Sequence, residues 1–157
     1  MNDKIYPTKI HERVDLARRG VNETVICRMK SGWAVLGDDQ RLPGYSLLIH
    51  DPVVDSINAL STEMRNQFLT DMTIIGDAVI KVMNASIINY SILGNVDRAL
   101  HAHIHPRYDS EEPDKRNSNP FIYQWMNIPV IKIDHERDRE MMKKIKNKIA
   151  SGTELYN

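Results

Sequence analysis

Histidine occupies every second position from 101 to 105. The run Ala99-Leu100-His101-Ala102-His103-Ile104-His105-Pro106-Arg107-Tyr108 alternates imidazoles with small or branched apolar side chains. A period of two belongs to an extended chain, in which residues i, i+2 and i+4 project from one face. The pattern predicts a strand with His101, His103 and His105 on one side and Ala102 and Ile104 on the other. The apolar side faces a core, and the imidazole side faces a cleft. Half of the six histidines in the chain lie in this run.

The rest of the sequence builds around that strand. Met64, Phe68, Met72, Ile75, Val79 and Met83 recur at intervals of three or four within residues 61–85, while Arg65, Asp71, Thr73, Asp77 and Lys81 mostly fall elsewhere. This predicts a long amphipathic helix with Ser61 as N-cap and its methionines packed in the core. Residues 8–19 predict a short helix closed by Gly20. Apolar clusters at 25–29, 33–36 and 45–50 predict three strands, with Ser31-Gly32 as a turn and 37–44 as a polar loop. Asp51-Pro52 predicts a brief helix over 51–60. Residues 86–93 predict a strand, and the Gly94-Asn95 turn makes 99–108 its partner. Residues 109–120 form a polar loop with two prolines. The segment 121–133, interrupted by Pro129, reads as a short edge strand or an irregular packing segment. A C-terminal helix is expected over 135–151, with Met141, Met142, Ile145 and Ile149 as its apolar stripe. Together these elements predict an α+β fold: about five strands in an antiparallel sheet, with helices on one side. A single domain is expected over 1–157, with its core at about 20–108 and a C-terminal loop and helix at 109–157.

Charge narrows the function classes. With 21 basic and 21 acidic residues the chain is formally neutral, which argues against binding to long nucleic acid but leaves nucleotides open. The single cysteine, Cys27, cannot form an internal disulfide or a cysteine zinc site and suits a reducing cytosol. The polar start "MNDKIYPTKIHERVD" lacks the apolar stretch of a secretory signal. No run approaches the ~18 apolar residues of a membrane span. A cytoplasmic protein without a membrane partner is expected.

Three readings of the histidine strand compete. It is a polar face without chemistry; or His101 and His103 hold a metal such as zinc, with a third ligand from His50 or an acidic residue of 109–114; or an unprotonated imidazole attacks phosphorus, which histidine does well because its pKa lies near neutrality. His11, His50 and His135 carry no comparable pattern and read as surface or structural residues.

The motif His101-Ala102-His103-Ile104-His105, continuing into Pro106-Arg107-Tyr108, resembles the signature of the histidine triad family. Upstream, "RLPGYSLLIH" follows a "GWAVLGD" strand and precedes the long helix, as in that family, so the resemblance covers about residues 30–108. It implies the histidine triad fold and a hydrolase or transferase of nucleoside monophosphoryl groups. The substrates implied are adenosine phosphoramidates or diadenosine polyphosphates. By that resemblance His103 is the nucleophile, and His101 and His105 contact the α-phosphate and help set the tautomer of His103. A homodimer is implied, with no tightly held metal required and a divalent ion possible alongside a polyphosphate. Gly37 stands where the family often has a ribose-gripping Asp or Asn, so Asp38 or Asp39 is expected to take that role. Tyr45 stands where a His often follows the Pro-Gly. Asn89 and Asn95 are candidate phosphate contacts, and Arg107 a candidate partner for a polyphosphate tail. The alternatives are a zinc hydrolase or metal-binding module using His101 and His103, and a non-catalytic nucleotide-binding regulator.

Overall fold

The computed structural model describes residues 5–152. Residues 1–4, which begin the polar N-terminal stretch, and 153–157 lie outside the described residues, as do those two ends of the expected domain.

Five strands form one sheet: β1 (Val25–Arg28), β2 (Gly32–Leu36), β3 (Ser46–His50), β4 (Ile87–Ser91) and β5 (His101–Arg107). Their order is β1-β2-β3-β5-β4, and every neighbouring pair is antiparallel. The sheet and its covering helices make an α+β fold, as the sequence predicts. The histidine strand lies between β3 and β4, so both of its edges are paired.

Helix α1 (Lys9–Arg18) is capped by the Thr8 hydroxyl, and Gly20 follows with a positive φ. Helix α2 (Thr62–Met83) starts at Ser61, whose side chain accepts from the Met64 amide. It ends at Asn84 in the left-handed conformation. The short helices α3 (Pro113–Arg116) and α4 (Ile122–Trp125) lie in the stretch read as loop and irregular segment. Helix α5 (His135–Ser151) is capped by Asp134.

Helices pack on both faces of the sheet, not on one. Phe68, Ile75 and Val79 of α2 and Ile145 of α5 meet Ala34, Leu36, Leu48, Ala102 and Ile104 in the larger core. On the opposite face Ile10 and Val14 of α1 join Val35, Leu47 and Ile49 in a smaller cluster. The small helix has a narrow apolar stripe, so it covers only part of that face. The triad occupies the remainder.

The brief helix expected over 51–60 does not form. Its capping carboxylate, Asp51, accepts instead from Trp33 Nε1 at 2.9 Å and from Arg18. The backbone there serves the sheet: the Leu100 amide donates to the Val54 carbonyl at 2.7 Å. A single 3₁₀ turn over Ile57–Ala59 is all the helix that remains.

Candidate active site

Register determines which side chains share the open face. Leu47 pairs with His103 and Ile49 with His101, while Asn89 pairs with His105 and Ser91 with His103. Cross-strand partners point the same way, so the three imidazoles stand in a row beside Leu47, Ile49, Asn89 and Ser91. Ring centroids are 4.9 Å apart for His101 and His103 and 5.8 Å for His103 and His105. Ala102 and Ile104, with no exposure at all, lie under α2. The predicted split of the strand is the observed one.

Each ring is held differently. His101 Nδ1–H donates to the Ala99 carbonyl at 2.7 Å. His103 Nδ1 meets the Tyr45 hydroxyl at 2.6 Å. His105 stacks on the Tyr45 ring, with centroids 4.1 Å apart and planes within 5°. Burial, with His101 adding to it, pushes the pKa of His103 down to about 4. Burial pushes that of His105 to about 3, helped by His103 and Arg107. Both rings are therefore neutral near pH 7, and a neutral imidazole has a lone pair to offer.

A pocket of about 250 Å³ opens beside His101 and His105. Its walls include Ile10, Leu42, Leu47 and Phe121, together with Lys9, Arg13, Asp38 and Asp39. A second recess, lined by Leu93–Asp97 and Phe121, reaches His101 and His103 from the other side. The triad thus stands between two cavities.

The structure sorts the expected binding residues. Asp38 and Asp39 both line the larger pocket. Asp39 is engaged on both oxygens by Arg41. Asp38 pairs with Arg13 but keeps 63% side-chain exposure, so it retains free acceptor capacity. Asn95 lines the second recess. Asn89 stands beside His105, and its Oδ1 accepts from Arg107 at 2.9 Å, which turns its amide Nδ2 away from that guanidinium.

Arg107 is a correction. Its side chain is only 3% exposed, and its donors are all committed. They go to Glu111, to Asn89 Oδ1, and to the carbonyls of Ser118 and Lys115. It anchors the 109–118 loop to the sheet and is not placed to neutralise a polyphosphate tail. Two of the third metal ligands expected are engaged elsewhere. His50 points to the opposite face, against Phe68, with Nδ1 on the Pro52 carbonyl. Glu111 is consumed by Arg107 and Tyr123. No group of three His, Cys, Asp or Glu residues among the described residues is arranged to hold a metal ion.

Residues that sequence reasoning missed complete the site. Phe121 presents its edge to His103 and His105 at 5.6 and 5.3 Å. It is held there by Arg41, which donates to the Tyr123 and Ile128 carbonyls, and by Tyr123, which donates to Glu111. The three aromatics of "FIYQW" are the signal available in the sequence. Gln40 is buried and staples the Pro-Gly loop. Its amide nitrogen donates to the Gly37 and Tyr45 carbonyls, and its oxygen accepts from Gly44.

No protein-family model matches the chain, and neither does the sequence of any curated protein. Solved structures do. A histidine triad protein from Marinobacter aquaeolei VT8 superposes with a TM-score of 0.70 at 17% identity, over 91% of this chain and 96% of its own. A hypothetical histidine triad nucleotide-binding protein from Sulfolobus tokodaii strain7 gives 0.69 at 15% identity, over 89% and 92%. The diadenosine triphosphate hydrolase of Plasmodium falciparum gives 0.58 at 18% identity, over 82% and 78%. Strand order, the paired position of the triad strand and the long helix behind it agree with this likeness: the chain has the fold of the histidine triad proteins.

Proposed function

We propose that the protein is a nucleotide hydrolase or transferase that cleaves at the α-phosphate of a nucleoside phosphoramidate or dinucleoside polyphosphate through a nucleotidyl-His103 intermediate. The observation that carries this reading is the neutral central imidazole, aligned between two others, lining one recess itself while its two neighbours line the larger pocket. The likeness to proteins named as nucleotide-binding and as a diadenosine triphosphate hydrolase supports it.

Each part of the pocket then has a task. Ile10, Leu42, Leu47 and Phe121 offer apolar surface to a base, adenine by preference of the family resembled. Asp38 accepts from the ribose hydroxyls at the pocket rim. The phosphorus sits over His103, with His101, His105 and the Asn89 amide around its oxygens. His103 Nε2 attacks phosphorus and forms a P–N bond. The P–O or P–N bond to the distal group breaks, and that group takes a proton from solvent and leaves through the second recess. Water then attacks phosphorus, the P–N bond to His103 breaks, and the nucleoside monophosphate departs. Hydrogen bonds from the flanking groups strengthen as charge builds on the phosphoryl oxygens.

Intact-mass measurement of protein quenched during turnover tests this reading. Adenosine phosphoramidate and diadenosine polyphosphates serve as the substrates. The expected result is a mass increase of one nucleotidyl group that maps to His103 and is absent from His103→Ala. Near-full turnover by His103→Ala, or an adduct on another residue, overturns it.

A second copy of the chain is the expected partner. Strand β4 is a sheet edge, and Ile87, Tyr90, Leu93 and Val96 are exposed on or just beyond it, Val96 at 99%. Unpaired edges of this kind invite pairing. A solution mass of twice the chain, falling to one on charge substitution at Ile87, tests the homodimer. No helix among the described residues is long and apolar enough to cross a membrane. A cytoplasmic site of action belongs to the same proposal, supported by the free thiol of Cys27.

A further inference from the structure

Tyr45 and Gly37 look like unrelated departures from the pattern that the sequence resembles. In the fold they are one feature. They face each other across the start of β3, and the Gly37 amide donates to the Tyr45 carbonyl at 2.8 Å. A Cβ at position 37 would lie 2.3 Å from the Tyr45 ring. The absent side chain makes room for the phenol. His105 stacks on the ring's face, and Gln40 holds its backbone carbonyl. The hydroxyl is thereby delivered to His103 Nδ1 and to no other described residue.

This matters because neutral imidazole has one proton and two nitrogens. Attack on phosphorus needs the lone pair on Nε2, so the proton must sit on Nδ1. The pair has two arrangements. In one, the phenol donates to Nδ1 and the ring proton is on Nε2, which blocks attack. In the other, Nδ1–H donates to the phenol oxygen, and the phenol's own hydrogen needs a different acceptor. No described residue supplies one. Tyr45 lines the larger pocket, however, so an oxygen of a bound nucleotide can. With that oxygen present, the phenol makes two hydrogen bonds in the second arrangement, accepting from Nδ1–H and donating to the ligand, against one in the first.

Building on the reading proposed above, we infer that Tyr45 is a positioning residue that couples nucleotide occupancy of the pocket to the reactive tautomer of His103. The phenol accepts from Nδ1–H and donates to the ligand. The ring gives its Nε2 proton to solvent and takes one from solvent on Nδ1, so the proton count of ring and phenol is unchanged. Burial pushes the pKa of the Tyr45 hydroxyl well above the ordinary tyrosine value, so it keeps its hydrogen throughout.

Nitrogen-15 NMR of histidine-labelled protein, with adenosine 5′-monophosphate as the probe, tests the coupling. In the wild type, saturating probe moves His103 toward the Nδ1–H form. In Tyr45→Phe, which keeps the stacked ring, the probe still perturbs other site resonances but the His103 tautomer responds less than half as much. Turnover of adenosine phosphoramidate falls roughly tenfold, in kcat more than KM, as expected for one lost hydrogen bond. Tyr45→His, which restores a ring nitrogen or N–H near that position, recovers part of both signals. An unchanged tautomer response in Tyr45→Phe overturns the inference. So does a response absent from the wild type while the probe is bound. If the probe binds neither protein, the nucleotide reading and this inference fall together.

Discussion

The two faces of β5 are made by alternate residues of one seven-residue strand, yet they obey different rules. On the face toward α2, Ala102 and Ile104 are wholly buried in an apolar core. Shape and volume decide what fits there. On the other face, His101, His103, His105 and Arg107 are polar and mostly buried too. There each group needs a partner, and burial tunes its proton affinity. A half-open sheet can thus assign stability to one face and chemistry to the other without separating them in sequence.

The sharpest way to break that division is to truncate neighbouring residues. His103→Ala is expected to lower kcat/KM roughly 10⁴-fold or more. Its thermal midpoint should stay within about 3 °C of wild type, read in the same preparation by calorimetry. A large stability loss without an activity loss would reverse the assignment of faces. Ile104→Ala, one residue on, is expected to cost about 2–5 kcal/mol of stability in denaturant titration, with kcat/KM of the folded fraction within a few fold.

A smaller effect probes the fit between Gly37 and Tyr45. Gly37→Asp alone drives its Cβ into the phenol ring and is expected to cost about 1–3 kcal/mol. Combined with Tyr45→His, which has a smaller ring, the cost should shrink. A double-mutant cycle is expected to show about 1 kcal/mol of coupling, and strict additivity would mean that the two positions are independent.

The smallest effect is on pH. The folded pKa values of His103 and His105, about 4 and about 3, lie below the ordinary 6.5. Below 6.5 the unfolded chain binds protons that the folded one refuses, so these rings favour folding above that value and the advantage is lost as pH falls toward 4 and 3. The shifted carboxylates of Asp51, Glu111 and Asp138 titrate lower, from ordinary values of 3.8 to 4.5 downward. Stability should therefore already decline between about pH 6.5 and 4.5, and His105→Asn should flatten that slope. For catalysis the same shift predicts no acid limb in kcat/KM near 6.5 and one near 4, checked by a pH–rate profile.

Local pattern carried much of this molecule. The alternation at 101–105, the three-to-four spacing in α2 and the caps at Ser61 and Gly20 are statements about neighbours in the chain, and they appear where expected. Long-range pairing was not legible. Asp71 reads as part of the solvated side of α2, but it is buried, accepting from the Ser31 amide at 2.7 Å, the Ser31 hydroxyl at 2.6 Å and Gln67 at 2.8 Å. Arg107 reads as a free cation, but the loop that follows it folds back and supplies carbonyls and a carboxylate to it. Phe121 reaches the triad with its segment gripped by Arg41, some eighty residues earlier, and tied by Tyr123 to Glu111.

By itself the sequence determined that a strand would expose three imidazoles on one side and bury two apolar residues on the other, because the pleat of an extended chain has a period of two. It also determined the long covering helix, because its apolar stripe must be buried. Only the tertiary structure decided which groups gather around those imidazoles: Tyr45 on Nδ1 of the central ring, Phe121 against the central and outer rings, and Asp38 in the wall of the same pocket. Hydrogen bonds and ring contacts depend on distances of a few ångströms between segments far apart in the chain. Those distances are set by sheet register and loop closure, which no local pattern encodes.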